Sequence, residues 1–82
     1  MIKLDNYHPR LMDVGAGDKT KIIEIPANGL SDPTIADVVS DCARYKYGIY
    51  AFGQKWTYVD AFVVKQRGEK FIRIFVKEST DA

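Results

Sequence analysis

The stretch WTYVDAFVVKQRGEKFIRIFVK, residues 56 to 77, decides the fold. Two runs rich in β-branched and aromatic residues flank a glycine, which is typical of a β-hairpin. If Arg67 and Gly68 form a two-residue turn, with glycine supplying a positive φ, the register of the two strands follows. One face then carries the aliphatic pairs Val63 with Ile72, Ala61 with Ile74, and Val59 with Val76. This face is predicted to line the core.

The opposite face of this hairpin, called the predicted aromatic face, alternates rings with charges. Its members are Tyr58, Asp60, Phe62 and Val64 on the first strand, and Lys77, Phe75, Arg73 and Phe71 across from them. An ion pair between Asp60 and Arg73 is expected, because a carboxylate on a sheet face is costly to bury without a partner. What uses this face is the main functional question.

Ahead of the hairpin the chain reads as strand, helix, strand. Residues 20–25 form a β-branched run that ends at Pro26, and residues 49–52 form a second short strand. Between them a helix over residues 33–46 is predicted, with Ser31 or Asp32 as its N-cap. Its apolar stripe consists of Ile35, Val38, Val39 and Cys42. A stripe with this helical spacing needs a sheet to pack against.

Together these elements predict an α+β domain. One amphipathic helix packs on one face of a three- to four-stranded, mainly antiparallel sheet in the order β-α-β-β-β. Residues 20–78 form this single domain, residues 1–19 are a partly ordered N-terminal arm, and residues 79–82 are a frayed tail. Because one helix covers one face of a sheet, the aromatic face is left without a cover.

Composition narrows the classes of protein. The chain has 82 residues, which is enough for one core, and a net charge of +1, so no global field draws it toward nucleic acid or an anionic membrane. The single cysteine excludes an internal disulfide. No apolar run is long enough for a membrane span, and the first residues lack the apolar segment of a signal peptide. A cytoplasmic protein without membrane contact is expected.

The search for catalytic chemistry is negative. Residues 15–20, GAGDKT, lack the spacing of a phosphate-binding loop and are better explained as a flexible turn. His8 is the sole histidine, and Cys42 lies on the buried stripe of the helix. Asp37 and Asp41 share a helical face without a loop of oxygen ligands, which indicates a solvated surface. We therefore expect no enzyme, no cofactor and no metal site.

The predicted binding site is the aromatic face. Its binding residues are Tyr58, Phe62, Phe71, Arg73, Phe75 and Lys77. Rings with interleaved cations suit a protein interface, whether with another protein or with a second copy in a homodimer. The same residues suit a stacking platform for single-stranded nucleic acid. In a third alternative, the N-terminal arm folds over the rings and forms a second small core. The leading hypothesis is a small non-catalytic interaction domain.

Overall fold

The computed structural model of the chain describes residues 1–14 and 19–79. The elements are β1 (Ile2–Lys3), a 3₁₀ turn (Asp5–Tyr7), β2 (Arg10–Asp13), β3 (Thr20–Pro26), α1 (Asp32–Arg44), β4 (Ile49–Ala51), β5 (Gln54–Gln66) and β6 (Glu69–Glu78). Residues 15–18 and 80–82 lie outside the described residues. The predicted flexible glycine turn and most of the predicted frayed tail fall there.

The six strands of the described residues form one sheet in the order β1-β4-β5-β6-β3-β2. β1 runs parallel to β4, every other neighbouring pair is antiparallel, and the sheet curls into a mixed half-barrel. The predicted fold class, a three- to four-stranded sheet in the order β-α-β-β-β, is therefore wrong. The predicted sheet lacked strands β1 and β2, which have only two and four residues. Such lengths are too short for hydrophobic alternation to reveal.

The turn of the central hairpin is confirmed. Arg67 and Gly68 connect β5 to β6 with φ of 53° and 80°, and positive φ at both central residues is characteristic of a type I′ hairpin turn. Val63 lies opposite Ile72, and this register continues along β5 toward its start as far as Asp60. Because opposite residues share a face, the aliphatic pairs next to the turn lie on the core side of the sheet. Ile72 and Ile74 are buried there and Ala61 packs against the core, whereas Val63 is 49% exposed, so the prediction that Val63 lines the core is wrong.

A β-bulge at Val59 changes the hairpin beyond that point. The register shifts between Tyr58 and Asp60, so Tyr58 rather than Val59 lies opposite Val76. The predicted pairing of Tyr58 with Lys77 is therefore wrong, and Thr57 occupies that position. Because of the extra residue, the side chains of β5 before Val59 point to the opposite face from the one that the sequence predicted, and Tyr58 points toward the core.

The helix matches its sequence signals. α1 begins after the N-cap Ser31, whose hydroxyl oxygen accepts a hydrogen bond from the Thr34 backbone N–H at 3.3 Å. It spans Asp32–Arg44, which is close to the predicted range of 33–46. Ile35, Val38 and Cys42 are buried, as their spacing predicted.

The core lies between α1 and the inner side of the curled sheet. Its buried residues are Leu4, Ile23, Ile25, Ala27, Ile35, Val38, Cys42, Ile49, Ala51, Trp56, Ile72, Ile74 and Val76. Each of the four longest elements contributes to this list, so the cluster joins the helix to the central strands. Trp56 is fully enclosed, and its indole N–H donates to the Ala51 carbonyl at 3.0 Å, which satisfies the one polar atom it buries.

The N-terminal segment belongs to this core. Leu4 is fully buried, and Tyr7 packs against the same cluster as the helix residues. The Asp5 carboxylate accepts the Phe52 backbone N–H at 3.2 Å, which ties the 3₁₀ turn to the β4–β5 connection. The large side chains of Leu4 and Tyr7 are thus engaged on the helix side of the sheet, away from the predicted aromatic face.

Candidate functional site

The side of the sheet that faces away from the core is called the outer face. Its side chains in the middle of the sheet are Asp60, Phe62 and Val64 on β5, Phe71, Arg73, Phe75 and Lys77 on β6, Ile22 and Glu24 on β3, and Arg10 and Met12 on β2. The register places these residues in rows across the strands. One row joins Asp60, Phe75 and Ile22, and the next joins Phe62, Arg73 and Glu24.

Two phenylalanines form the centre of the outer face. The rings of Phe62 and Phe75 contact each other edge to face, with centroids 5.7 Å apart and planes at 89°. Phe62 remains 50% exposed, whereas Phe75 and Phe71 are half-buried. The surface therefore presents one open ring that is held in place by a second, better-covered ring.

An ion pair lies beside the rings. The Arg73 guanidinium donates from Nε to the Glu24 carboxylate at 3.0 Å and from a terminal nitrogen to the Gln66 side-chain oxygen at 3.4 Å. The Glu24 side chain is only 7% exposed, so this carboxylate depends on Arg73 for compensation of its charge. Arg73, one of the predicted binding residues, is therefore engaged with other side chains of the protein.

The predicted ion pair between Asp60 and Arg73 is wrong. The Asp60 carboxylate instead accepts the backbone N–H of the next residue, Ala61, at 2.8 Å. Glu24 takes its place because β3 lies directly beside β6 and sets Glu24 opposite Arg73. Side chains alternate along a strand, so Ile22 and Glu24 share one face of β3, but the sequence does not show which strand β3 joins.

Of the six predicted binding residues, the structure brings five to the outer face. Phe62, Phe71, Arg73, Phe75 and Lys77 share that side, whereas the bulge turns Tyr58 to the core side. There Tyr58 packs against the core cluster, and burial, followed by the charge of Asp60, raises the pKa of its phenol. The residues that sequence reasoning missed are Ile22 and Glu24 of β3, with Arg10 and Met12 of β2 beyond them.

An open depression adjoins the outer face at the β5–β6 turn. It is lined by Gln66, Arg67, Glu69 and Phe71. Phe71 supplies its apolar wall, and the remaining lining side chains are polar or charged. The depression extends the outer face toward the tip of the hairpin.

Histidine, cysteine and the acidic residues are the types that bind metals or act as nucleophiles, and they form no shared site in the described residues. Within residues 1–14 and 19–79, no group of three or more His, Cys, Asp or Glu side chains could hold a metal ion. His8 is exposed and ends the 3₁₀ turn in a left-handed conformation with φ of 55°. Cys42 is buried as predicted, and burial, with a smaller contribution from the Asp41 charge, raises the pKa of its thiol to about 12.

The buried thiol leads to a prediction about pH. The folded-state pKa of Cys42 is raised above its ordinary value of 9.0, so its contribution to stability is complete below about pH 9 and is lost as the pH rises toward 12. Between pH 8 and pH 10 we expect the free energy of unfolding to fall by roughly 1 kcal/mol more in the unmodified protein than in Cys42→Ala. Urea unfolding at both pH values measures this difference, and equal losses in the two proteins would contradict the assignment.

Comparison with protein-family models, with curated proteins and with solved structures finds no match to this chain. Residues 1–14 and 19–79 form a small mixed-sheet domain with one α-helix, and the outer face of its sheet carries aromatic rings. In the described part of the chain, no helix is both long and apolar enough to span a bilayer.

Proposed function

We propose that this chain is a small non-catalytic interaction domain that binds a protein partner through its outer face. The observation that carries the proposal is the ring pair, in which Phe62 is half exposed while Phe75 fixes its position. Ordered aromatic side chains anchor protein interfaces because they bury a large area and lose little conformational entropy. The proposal places the domain in the cytoplasm, which suits a protein with one free thiol.

The charges around the rings favour a protein partner over single-stranded nucleic acid. Nucleic-acid affinity rests mainly on free cations that neutralise phosphates. Arg73 is bonded to Glu24 and Gln66, and Asp60 adds a negative charge to the same face. A stacking platform also needs several open ring faces, whereas Phe62 is the one outer-face ring that is half exposed in the described residues.

Site-specific photo-cross-linking in cells tests this proposal. A benzophenone amino acid is placed at Phe62 or at Lys77, both on the outer face, and at Ala43 on the exposed side of α1 as the matched control. We expect the same protein adduct from Phe62 and Lys77, resistant to nuclease and absent from Ala43. Nuclease-sensitive adducts would instead support nucleic-acid binding. Equal adducts from all three positions would refute a dedicated outer face.

The rings must also be dispensable for folding if they serve a partner. Phe62→Ser is expected to change the free energy of unfolding by less than about 1 kcal/mol, because half of the side chain already contacts water. Ile74→Ala, on the core side of the neighbouring strand, is expected to cost about 3 kcal/mol. Chemical denaturation measures both variants. Similar losses for the two would show that Phe62 is a core residue.

A further inference from the structure

The central strand β5 has a free edge along half of its length. β4 pairs only with the start of β5, up to Trp56, and beyond that pairing the Tyr58 N–H donates to the Lys46 carbonyl at 2.7 Å. In the described part of the chain, no strand pairs with residues 59–66 on the side away from β6. An eight-residue strand edge is therefore open.

Hairpin geometry shows which backbone groups this edge presents. In a hairpin with a two-residue turn, the residues that flank the turn, Gln66 and Glu69, exchange backbone hydrogen bonds, and bonded pairs alternate from there. Ala61, Val63 and Lys65 therefore direct their N–H and C=O groups away from β6. The bond from the Ala61 N–H to the Asp60 carboxylate agrees with this orientation. The N–H groups of Val63 and Lys65 point outward.

The middle of this edge, residues 61–64, is apolar on both sides of the sheet. Val59, Phe62 and Val63 are 47%, 50% and 49% exposed. Phe62 lies on the outer face and Val63 on the opposite one. Long apolar strand edges are templates for further strands, and natural proteins usually shorten, charge or cover them. Between Ala61 and Val64 this edge carries no charge, and one charged residue flanks it on each side, Asp60 before it and Lys65 after it.

We propose that the β5 edge binds the β5 edge of a second copy of this chain. The two strands run antiparallel about a two-fold axis at Val63, which joins the two sheets into one. In this register Val63 pairs with the partner's Val63 and Phe62 with the partner's Val64. Ala61 lies opposite the partner's Lys65, where the Ala61 N–H exchanges the Asp60 carboxylate for the partner's backbone carbonyl. The inference goes beyond the proposed function and does not depend on it, although Phe62 belongs to both the outer face and the edge.

The sequence of the edge selects this register over its neighbours. An axis one residue earlier, at Phe62, sets the Asp60 carboxylate opposite Val64. An axis one residue later, at Val64, sets the Val63 side chain opposite Lys65. Only the axis at Val63 pairs both Phe62 side chains with valines and opposes no like charges, which cross-strand energetics favour. A two-fold pairing also closes the assembly, since each copy uses the same edge once.

The size of the contact sets the expected affinity. Pairing about eight residues per copy buries less than the roughly 800 Å² per partner of a standard stable interface. We expect a reversible dimer with a dissociation constant in the range of roughly tens of micromolar. Sedimentation equilibrium between about 5 and 500 μM covers that range. A strictly monomeric protein over all these concentrations would overturn the proposal.

Val63→Pro is the sharpest variant for this experiment. Proline removes the outward N–H of Val63 without removing any bond to β6, so the β5–β6 pairing persists while strand addition is blocked. We expect the dissociation constant to rise at least tenfold. Val63→Thr keeps the N–H and the β-branched shape, and it serves as the matched control with less than a threefold change. Equal dimerisation of both variants would refute pairing through this edge.

Disulfide cross-linking tests the register even if the proline variant does not fold. Two Val63→Cys copies bring their Cα atoms to about 5.5 Å, within disulfide range, whereas in the same register two Val59→Cys copies lie about 26 Å apart. We expect rapid oxidative dimers from Val63→Cys alone, with Cys42 remaining buried and inert. Linkage only to a copy carrying Leu11→Cys on β2 would overturn the two-fold arrangement.

The two proposals fail separately. Lys77 lies on β6, away from the β5 edge, so its photo-adducts report on the outer face and the Val63→Cys disulfide reports on the edge. Adducts at Lys77 without the disulfide would refute only the dimer. The disulfide without nuclease-resistant adducts at Lys77 would refute only the outer face as a docking surface.

Discussion

Arg73→Met is expected to lower the free energy of unfolding by about 2 to 3 kcal/mol. The loss comes from Glu24, whose side chain is almost fully buried and whose charge is compensated by the Arg73 guanidinium at 3.0 Å. Removal of one member of a buried pair leaves the other charge without a partner, and that is the costly step. Arg73 itself reaches water, which places the expected effect at the lower end of the range for buried pairs.

The double variant Glu24→Met with Arg73→Met separates charge from packing. Both partners are then replaced by flexible apolar side chains, so no buried charge remains uncompensated. We expect the double variant to recover at least half of the stability lost in Arg73→Met. A double-mutant cycle from urea unfolding measures the coupling. Additive losses would show that the ion pair contributes nothing beyond the volume of its side chains.

Leu4→Ala is expected to lower the free energy of unfolding by about 3 kcal/mol. Leu4 is fully buried among residues from the helix and the sheet, although it lies in the segment that was predicted to be a partly ordered arm. Truncation removes the transfer free energy of the side chain and leaves a cavity that neighbouring residues fill only in part. The N-terminal segment is thus expected to contribute to the core and not only to the edges of the sheet.

Leu11→Ala is the matched control for this prediction. It makes the same chemical change within the same N-terminal segment, at a position that is 45% exposed. We expect a loss below about 1 kcal/mol for Leu11→Ala. Thermal and urea unfolding of the two variants, measured side by side, give the comparison. If Leu4→Ala costs no more than Leu11→Ala, residues 1–9 do not pack as described.

The features that depend on local sequence signals were predicted correctly. The Arg67–Gly68 turn, the pairs next to it and the capped helix all depend on residues close together in the chain, and these features are confirmed. The bulge at Val59 was not predictable, because valine suits a regular strand as well as a bulged one. That single residue explains why Tyr58 was assigned to the wrong face.

Long-range pairing accounts for the remaining errors. β1 pairs with β4 and β3 pairs with β6, and no nearby turn or spacing signals either partnership. For this reason the predicted fold class was wrong, and Asp60 was predicted as the partner of Arg73 in place of Glu24. Four of the five predicted binding residues on the outer face, Phe62, Phe71, Arg73 and Phe75, lie between the bulge and the turn, where register depends on the turn alone. The fifth, Lys77, lies on β6, the strand that carries no extra residue.

The two outermost strands have a consequence for how the chain acquires its structure. Both come from the N-terminal segment, yet they form the two opposite edges of the sheet. Ile2 pairs with Ile49, which is far from it in the sequence. Closing a loop of that length carries an entropic cost before any contact is gained. We therefore expect the β5–β6 hairpin and α1 to assemble first, and the borders of the sheet to be completed late in folding.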